Sequence, residues 1–184
     1  MEIILKNGRD LSLADFDAVL ALDCKIFGDS ILINEGMAEK RFLKFKDGVI
    51  AAYTGNTLMG FISFFSVDAS VYERALFKQE YIDDNLNESE VVPLEKGKAN
   101  TILILDLAVD EAFRHLGVSK RLHESLWDYL RQKHNQDYLI EHVFCFAITT
   151  EGFNSMLFLG GRERCTRDDM TLFELDKEVF LRQV

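Results

Sequence analysis

The sequence predicts an α/β fold with strands and helices mixed along the chain, on three observations. First, residues 101–133, TILILDLAVDEAFRHLGVSKRLHESLWDYLRQK, read as strand, turn, helix. An apolar run holding one acid, Asp106, passes at 110–119 into a short connection with Arg114, Gly117 and Ser119. From Val118 onward Leu122, Leu126, Tyr129 and Leu130 recur at helical spacing and make one apolar stripe. Second, 57–67, TLMGFISFFSV, is almost wholly apolar, as a central strand buried on both faces is. Third, two helical patterns precede a hairpin, an order that a doubly wound nucleotide fold does not have.

Taken in order, 1–6 is a short apolar strand closed by the turn pair Asn7-Gly8. Ser12 is placed to cap a helix with Asp15 in its first turn, and Phe16, Val19, Leu20 and Phe27 keep helical spacing up to Gly28. Residues 34–45 give a second helix, with Met37, Arg41 and Phe42 spaced along it, ending at Asp47-Gly48. Strands 49–53 and 57–67 join through Gly55-Asn56, a hairpin signal. A helix is expected over 71–81. Segment 83–98, DDNLNESEVVPLEKGK, is acidic and holds the only proline; it reads as a solvated loop or as a substrate-selecting lid. Beyond the long helix, 138–149 is a strand, 152–159 a short helix broken by Gly160-Gly161, and 162–165 with 170–175 a closing hairpin. With no internal repeat and no linker, 1–184 is expected to be a single domain.

Composition narrows the function. An apolar fraction of 48% fits a soluble globular chain, and fifteen Phe with one Pro suggest long elements around a bulky core. No apolar run reaches the length of a membrane span. The opening MEIILKNGRD lacks a basic region followed by a long apolar one, so no signal peptide is expected and the chain is expected to be cytoplasmic. Cys24, Cys145 and Cys165 are scattered, as are the four His, so free thiols and no structural metal are expected. The net charge of −10 weighs against nucleic acid and anionic membranes, and is compatible with cationic substrates.

The turn at 114–119 has the makings of an anion cradle. The first N–H groups of a helix lack internal partners, and the helix dipole adds partial positive charge at that end. Gly117 has no side chain, Ser119 a small one, and Arg114 brings a full charge. The run is neither a Walker loop nor a three-glycine dinucleotide fingerprint. It resembles motif A of the GNAT acyltransferases (GCN5-related N-acetyltransferases). There a strand ending in a Leu-Ala-Val-like triplet leads to Arg/Gln-x-x-Gly-x-Gly/Ala at the start of a helix. The matching residues are Leu107-Ala108-Val109 and Arg114-His115-Leu116-Gly117-Val118-Ser119, with Ser119 departing from Gly/Ala. The element order resembles the family over essentially the whole chain; the specific sequence likeness is confined to 105–122.

The resemblance implies a GNAT-like central twisted mixed sheet flanked by helices, splayed between the motif A strand and the next. It implies acetyl-CoA as cosubstrate, the pantetheine arm along 107–109 and the pyrophosphate on the backbone of 114–119. It also implies an oxyanion donor at the Val109 N–H or its neighbours, and a small-molecule or peptide amine as acceptor. For the base, Asp106 is the first candidate, because an acid in an apolar strand has its pKa raised toward a useful range; it can equally face a polar cavity or bond to backbone. Glu35 is a second candidate or a surface charge. His142 reads as a proton relay or a solvated strand-edge residue, His115 as a phosphate contact or surface residue, and Cys145 as a core residue. Asn154 and Ser155 read as pantetheine contacts or helix caps. Many family members carry a general-acid Tyr where this chain has Met156 or Leu157. That leaves a non-catalytic acyl-CoA-binding or partner-binding module as the alternative. The sequence names neither the acceptor nor the oligomeric state.

Overall fold

Side chains that alternate direction along the central strands put apolar residues on both faces of one sheet, and both faces are buried. The computed structural model describes residues 2–29 and 36–181. The strands are β1 (Ile4–Asn7), β2 (Val49–Thr54), β3 (Thr57–Val67), β4 (Ala99–Val109), β5 (Leu139–Ala147), β6 (Gly161–Arg167) and β7 (Met170–Leu175). The helices are α1 (Leu13–Phe27), α2 (Met37–Lys44), α3 (Ala69–Phe77), α4 (Val118–Asn135), α5 (Thr150–Phe158) and α6 (Lys177–Leu181). The strands form a seven-stranded mixed sheet in the order β1-β2-β3-β4-β5-β7-β6. Among the described residues only β4 and β5 pair in parallel, and α4 makes the crossover such a pair requires.

On one face, Phe16, Val19 and Leu22 of α1 and Phe42 of α2 pack onto Val49, Ala51, Phe61 and Ala108. On the other, Leu122, Leu126 and Leu130 of α4 pack with Ile50, Ala52, Ile62 and Phe64. The period of two along β2 accounts for the division, since 49 and 51 face one way and 50 and 52 the other. Tyr129, read as part of the apolar stripe, is half-buried and donates its hydroxyl to Asp47 Oδ2 at 3.2 Å. Ser12 caps α1 as expected and exchanges a second hydrogen bond with Asp15.

Two irregularities shape the centre of the sheet. Ser63 of β3 faces Asp106 while Phe64 faces Ile104, so Leu105 is an extra residue on β4, a bulge that bends the strand. The pairing of β4 with β5 runs from Ala99↔Leu139 to Ile104↔Cys145 and stops there. Beyond Leu105, β4 is held on one edge only, by β3 through Ser63↔Asp106, Ile62↔Leu107, Phe61↔Ala108 and Gly60↔Val109. The splay that the resemblance implied is therefore present, and it opens at the bulge.

Several expectations change. The helix expected over 71–81 runs Ala69–Phe77, and Gln79 just past its end takes a positive φ of 52°. Segment 83–98 is not a solvated loop throughout: Leu86 and Val91 are fully buried, and Val91 bridges to Val67. The second helix starts at Met37; positions 34 and 35 lie outside the described residues. The closing hairpin is longer than 162–165 and 170–175, since β6 starts at Gly161 and ends at Arg167. Helix α6 was not expected; it buries Phe180 with its ring 6.3 Å from that of Trp127. Among the described residues no helix is long and apolar enough to cross a membrane.

Candidate functional site

The bent end of β4 separates two features, a helix start and a pocket. On the helix side, Val118 is buried and anchors α4, while Arg114, His115, Leu116 and Gly117 are exposed. Gly117 occupies the cap position with φ 78°, ψ 10° and offers no side chain to the helix. A Cβ built there meets nothing within 4 Å, so the left-handed backbone, not crowding by the chain, is what calls for glycine. His115 also takes a positive φ, 64°. The first turn of α4 holds no acid. His123 is buried and donates Nδ1–H to the Ser119 carbonyl at 2.9 Å; desolvation pushes its pKa down to about 4, so it stays neutral. Uncapped amides, a helix dipole and Arg114 thus face solvent together, a surface suited to an anion.

The pocket lies on the other side, between the sheet and α1 and α2. It is small and partly open to solvent, with walls from Phe16, Val19, Leu20, Ala38 and Phe61 and carboxyls from Asp23 and Asp106. Ala108 packs with α1 and α2, and Asp106, two residues earlier, lines the pocket on that face. Ser63 donates Oγ–H to Asp106 Oδ2 at 2.9 Å and its Oγ accepts the Asp106 N–H at 3.2 Å. The half-buried Asp106 carboxyl is held well above the usual range, first by desolvation and then by Asp23 and Asp83; the Ser63 bond opposes this only partly.

Asp23 lies only 4% exposed, and burial pushes it up to about 7. Asp84 and Asp83 add to the rise, and Arg41 pulls against it. Arg41 is 1% exposed and clamps the segment that follows α3. Its Nη1 donates to the carbonyls of Asp84, at 3.1 Å, and Leu86, at 2.9 Å. Tyr81 donates its hydroxyl to Asp83 Oδ2 at 2.7 Å and sets its ring edge-on to Phe146 of β5. The acidic segment is thus tied to α2 through Arg41, while Tyr81 just before it contacts β5.

The sequence-predicted residues distribute as follows. Leu107, Ala108 and Val109 form the one-sided end of β4, and Arg114 through Ser119 the exposed turn and first residues of α4. Asn154 is exposed in mid-helix on α5; Thr149 caps that helix by accepting the Gly152 N–H, so neither Asn154 nor Ser155 is a cap. Met156 of α5 accepts the Cys145 thiol at 3.2 Å, which seats α5 on β5 beside the last paired residue of β4. Met156 is buried and Leu157 exposed, and neither carries an ionisable proton. Cys145 is a core thiol pushed up to about 12 by burial. His142 pairs with Thr101 of β4 but precedes the pairing of β5 with β7, which starts at Phe144; its Nδ1 meets Glu174 Oε1 at 2.8 Å and its ring stacks on Tyr72. Glu35 lies outside the described residues.

Sequence reasoning missed Asp23, Arg41, Ser63, Tyr81 and the placement of Asp83 and Asp84. A signal existed for Asp23, an acid four residues from both Val19 and Phe27 on the apolar stripe of α1.

The sequence profile described as the Acetyltransferase (GNAT) family matches residues 21–146. A search of curated proteins finds no match. Among solved structures, the loading GNATL domain of CurA from Lyngbya majuscula aligns with a TM-score of 0.66 at 12% identity, covering 97% of this chain and 99% of that one. PH1933 from Pyrococcus horikoshii OT3 aligns at 0.62 and 15% identity, covering 95% and 98%. The paia N-acetyltransferase from Thermoplasma acidophilum, solved in complex with coenzyme A, aligns at 0.57 and 14% identity, covering 96% and 99%.

Proposed function

Because the chain belongs to the GNAT acetyltransferase family, we propose that it moves an acetyl group from acetyl-CoA to an amine acceptor by direct transfer. The observation that carries this reading is the end of β4, free on one edge, between an uncapped helix start and a pocket with a buried carboxyl. The residues fit such a cosubstrate. The backbone of 114–119 would hold its diphosphate, the free edge of β4 at Leu107, Ala108 and Val109 its pantetheine arm, and Asn154 would flank the arm from α5. That a structurally similar N-acetyltransferase was solved with coenzyme A supports the same choice. Bound there, acetyl-CoA supplies an activated thioester carbonyl.

The rest falls to side chains. A protonated amine has no lone pair to offer, so a base must remove a proton. Asp106 is that base: its raised pKa makes it a stronger proton acceptor than an ordinary carboxylate, and Ser63 fixes the orientation of Oδ2. No proton donor stands at Met156 or Leu157, so water protonates the leaving thiolate. That gap favours a second reading, a module that binds acyl-CoA without turnover. The free thiols at Cys24, Cys145 and Cys165 suit a cytoplasmic setting, and a single domain suits the continuous sheet.

Acetyl-CoA should raise the melting temperature, and a panel of amines should include one that drives release of free CoA. Asp106→Asn should lower kcat by about 10²–10⁴ while leaving acetyl-CoA affinity in place. No thermal shift at saturating acetyl-CoA contradicts the reading. Binding without release for any amine favours the inert module.

A further inference from the structure

A buried imidazole lies directly behind the anion-facing turn and has no part in the acyl transfer proposed above. His123, one turn into α4, is 4% exposed and donates Nδ1–H to the Ser119 carbonyl at 2.9 Å. The Ser119 hydroxyl, 3.5 Å from the same nitrogen, is the more distant partner. A carbonyl only accepts, so the proton sits on Nδ1 and Nε2 keeps a bare lone pair. Among the described residues Nε2 has no hydrogen-bond partner, and burying a polar atom in that state is costly. A leucine at this position would join Leu122, Leu126 and Trp127, all buried on α4, without that cost. What the imidazole adds is the bond to Ser119.

The Ser119 carbonyl and the Lys120 N–H belong to one peptide group. The first helix bond of α4 runs from the Arg121 N–H to the Gly117 carbonyl at 3.1 Å, so the N–H groups of Val118, Ser119 and Lys120 have no partner within the helix. The cap residue offers them no side chain. Helix geometry gives the Ser119 carbonyl one donor, the His123 backbone N–H; the imidazole is a second. A donor on the carbonyl draws electron density through the peptide group and makes its N–H a stronger donor in turn. We infer that His123 is a positioning residue for the anion cradle: through Ser119 it holds and polarises the Lys120 N–H, which extends the cradle one residue past Ser119 and donates to the diphosphate. This rests on the acyltransferase reading above and adds to it a residue that touches no substrate. Burial pushes the His123 pKa down to about 4, so the neutral ring and its bond persist through neutral pH.

The test compares the wild-type chain with His123→Asn, whose amide can reach the same carbonyl, and His123→Leu, which has a similar shape and no donor. Calorimetric titration with acetyl-CoA should show a loss of about threefold or more for His123→Leu, and affinity within about twofold of wild type for His123→Asn. In proton–nitrogen correlation spectra the Lys120 amide proton of the wild-type chain should move downfield when acetyl-CoA is added. In His123→Leu the same proton should start upfield of its wild-type position. Full affinity in His123→Leu, equal losses in both variants, or a Lys120 amide that acetyl-CoA leaves unmoved overturns this inference alone. Equal losses are what a packing role for the ring would give. If His123→Leu does not fold, the response of the Lys120 amide in the wild-type chain and in His123→Asn decides. Failure of acetyl-CoA to bind the wild-type chain overturns the acyltransferase reading, and this inference with it.

Discussion

Asp23 lies four residues after Val19 and four before Phe27, on the face of α1 that packs against the sheet. Its position is legible in the sequence, but a search for apolar spacing passes over an acid on the stripe. Asp106 stood out because it interrupts a run of aliphatic residues. Ser63, which orients it, gave no sign, since the pairing of β3 with β4 is a long-range fact. The acid pair makes a prediction at this scale. Burial pushes Asp23 up to about 7 and also raises Asp106. Such groups keep their protons in the folded chain over a pH range where the unfolded chain has released them. Below an unfolded value of about 3.9 both states are protonated and stability is unaffected; as pH climbs through the folded value, stability falls. Asp23→Asn should therefore raise the melting temperature at pH 8, by about 2–4 °C per kcal/mol relieved, and change it little at pH 4. Scanning calorimetry at both values checks this; a variant less stable at pH 8 would mean that the Asp23 charge is already compensated.

Helix α4 was readable from its stripe, and its start from Gly117, but the reason for that glycine was not. The sequence suggests a need for room, whereas the structure shows open space and a left-handed backbone. Gly117→Val should strain the turn by about 1–2 kcal/mol and put branched methyls where an anion would approach. The expected outcome is at least about a tenfold loss of acetyl-CoA affinity with little change in far-ultraviolet circular dichroism. Full affinity would remove the helix start from the site. Other elements show where sequence fell short. The bulge at Leu105 is silent, because an apolar run looks the same whether or not one residue is unpaired. Segment 83–98 looked solvated because acids dominate it, while Leu86 and Val91 do the packing. Helix α6 is too short for periodicity to register.

For the molecule as a whole, the central relation is between one parallel pair and the break in it. Strands β4 and β5 share hydrogen bonds up to Ile104↔Cys145, then β4 follows β3 while β5 follows β7. The element order in the sequence pointed to this architecture, and the family resemblance supplied the splay; neither hydropathy nor turn chemistry encodes where two strands part. The opening leaves the last residues of β4 with one bare edge, α4 starting beyond them, and the acid-lined pocket on the opposite face. The most direct test of the account is a crystal structure with coenzyme A. The account predicts diphosphate oxygens within hydrogen-bond distance of backbone N–H groups at 114–119 and pantetheine amides paired with β4 at 107–109. A diphosphate bound elsewhere, with the start of α4 and the free edge of β4 untouched, would contradict it.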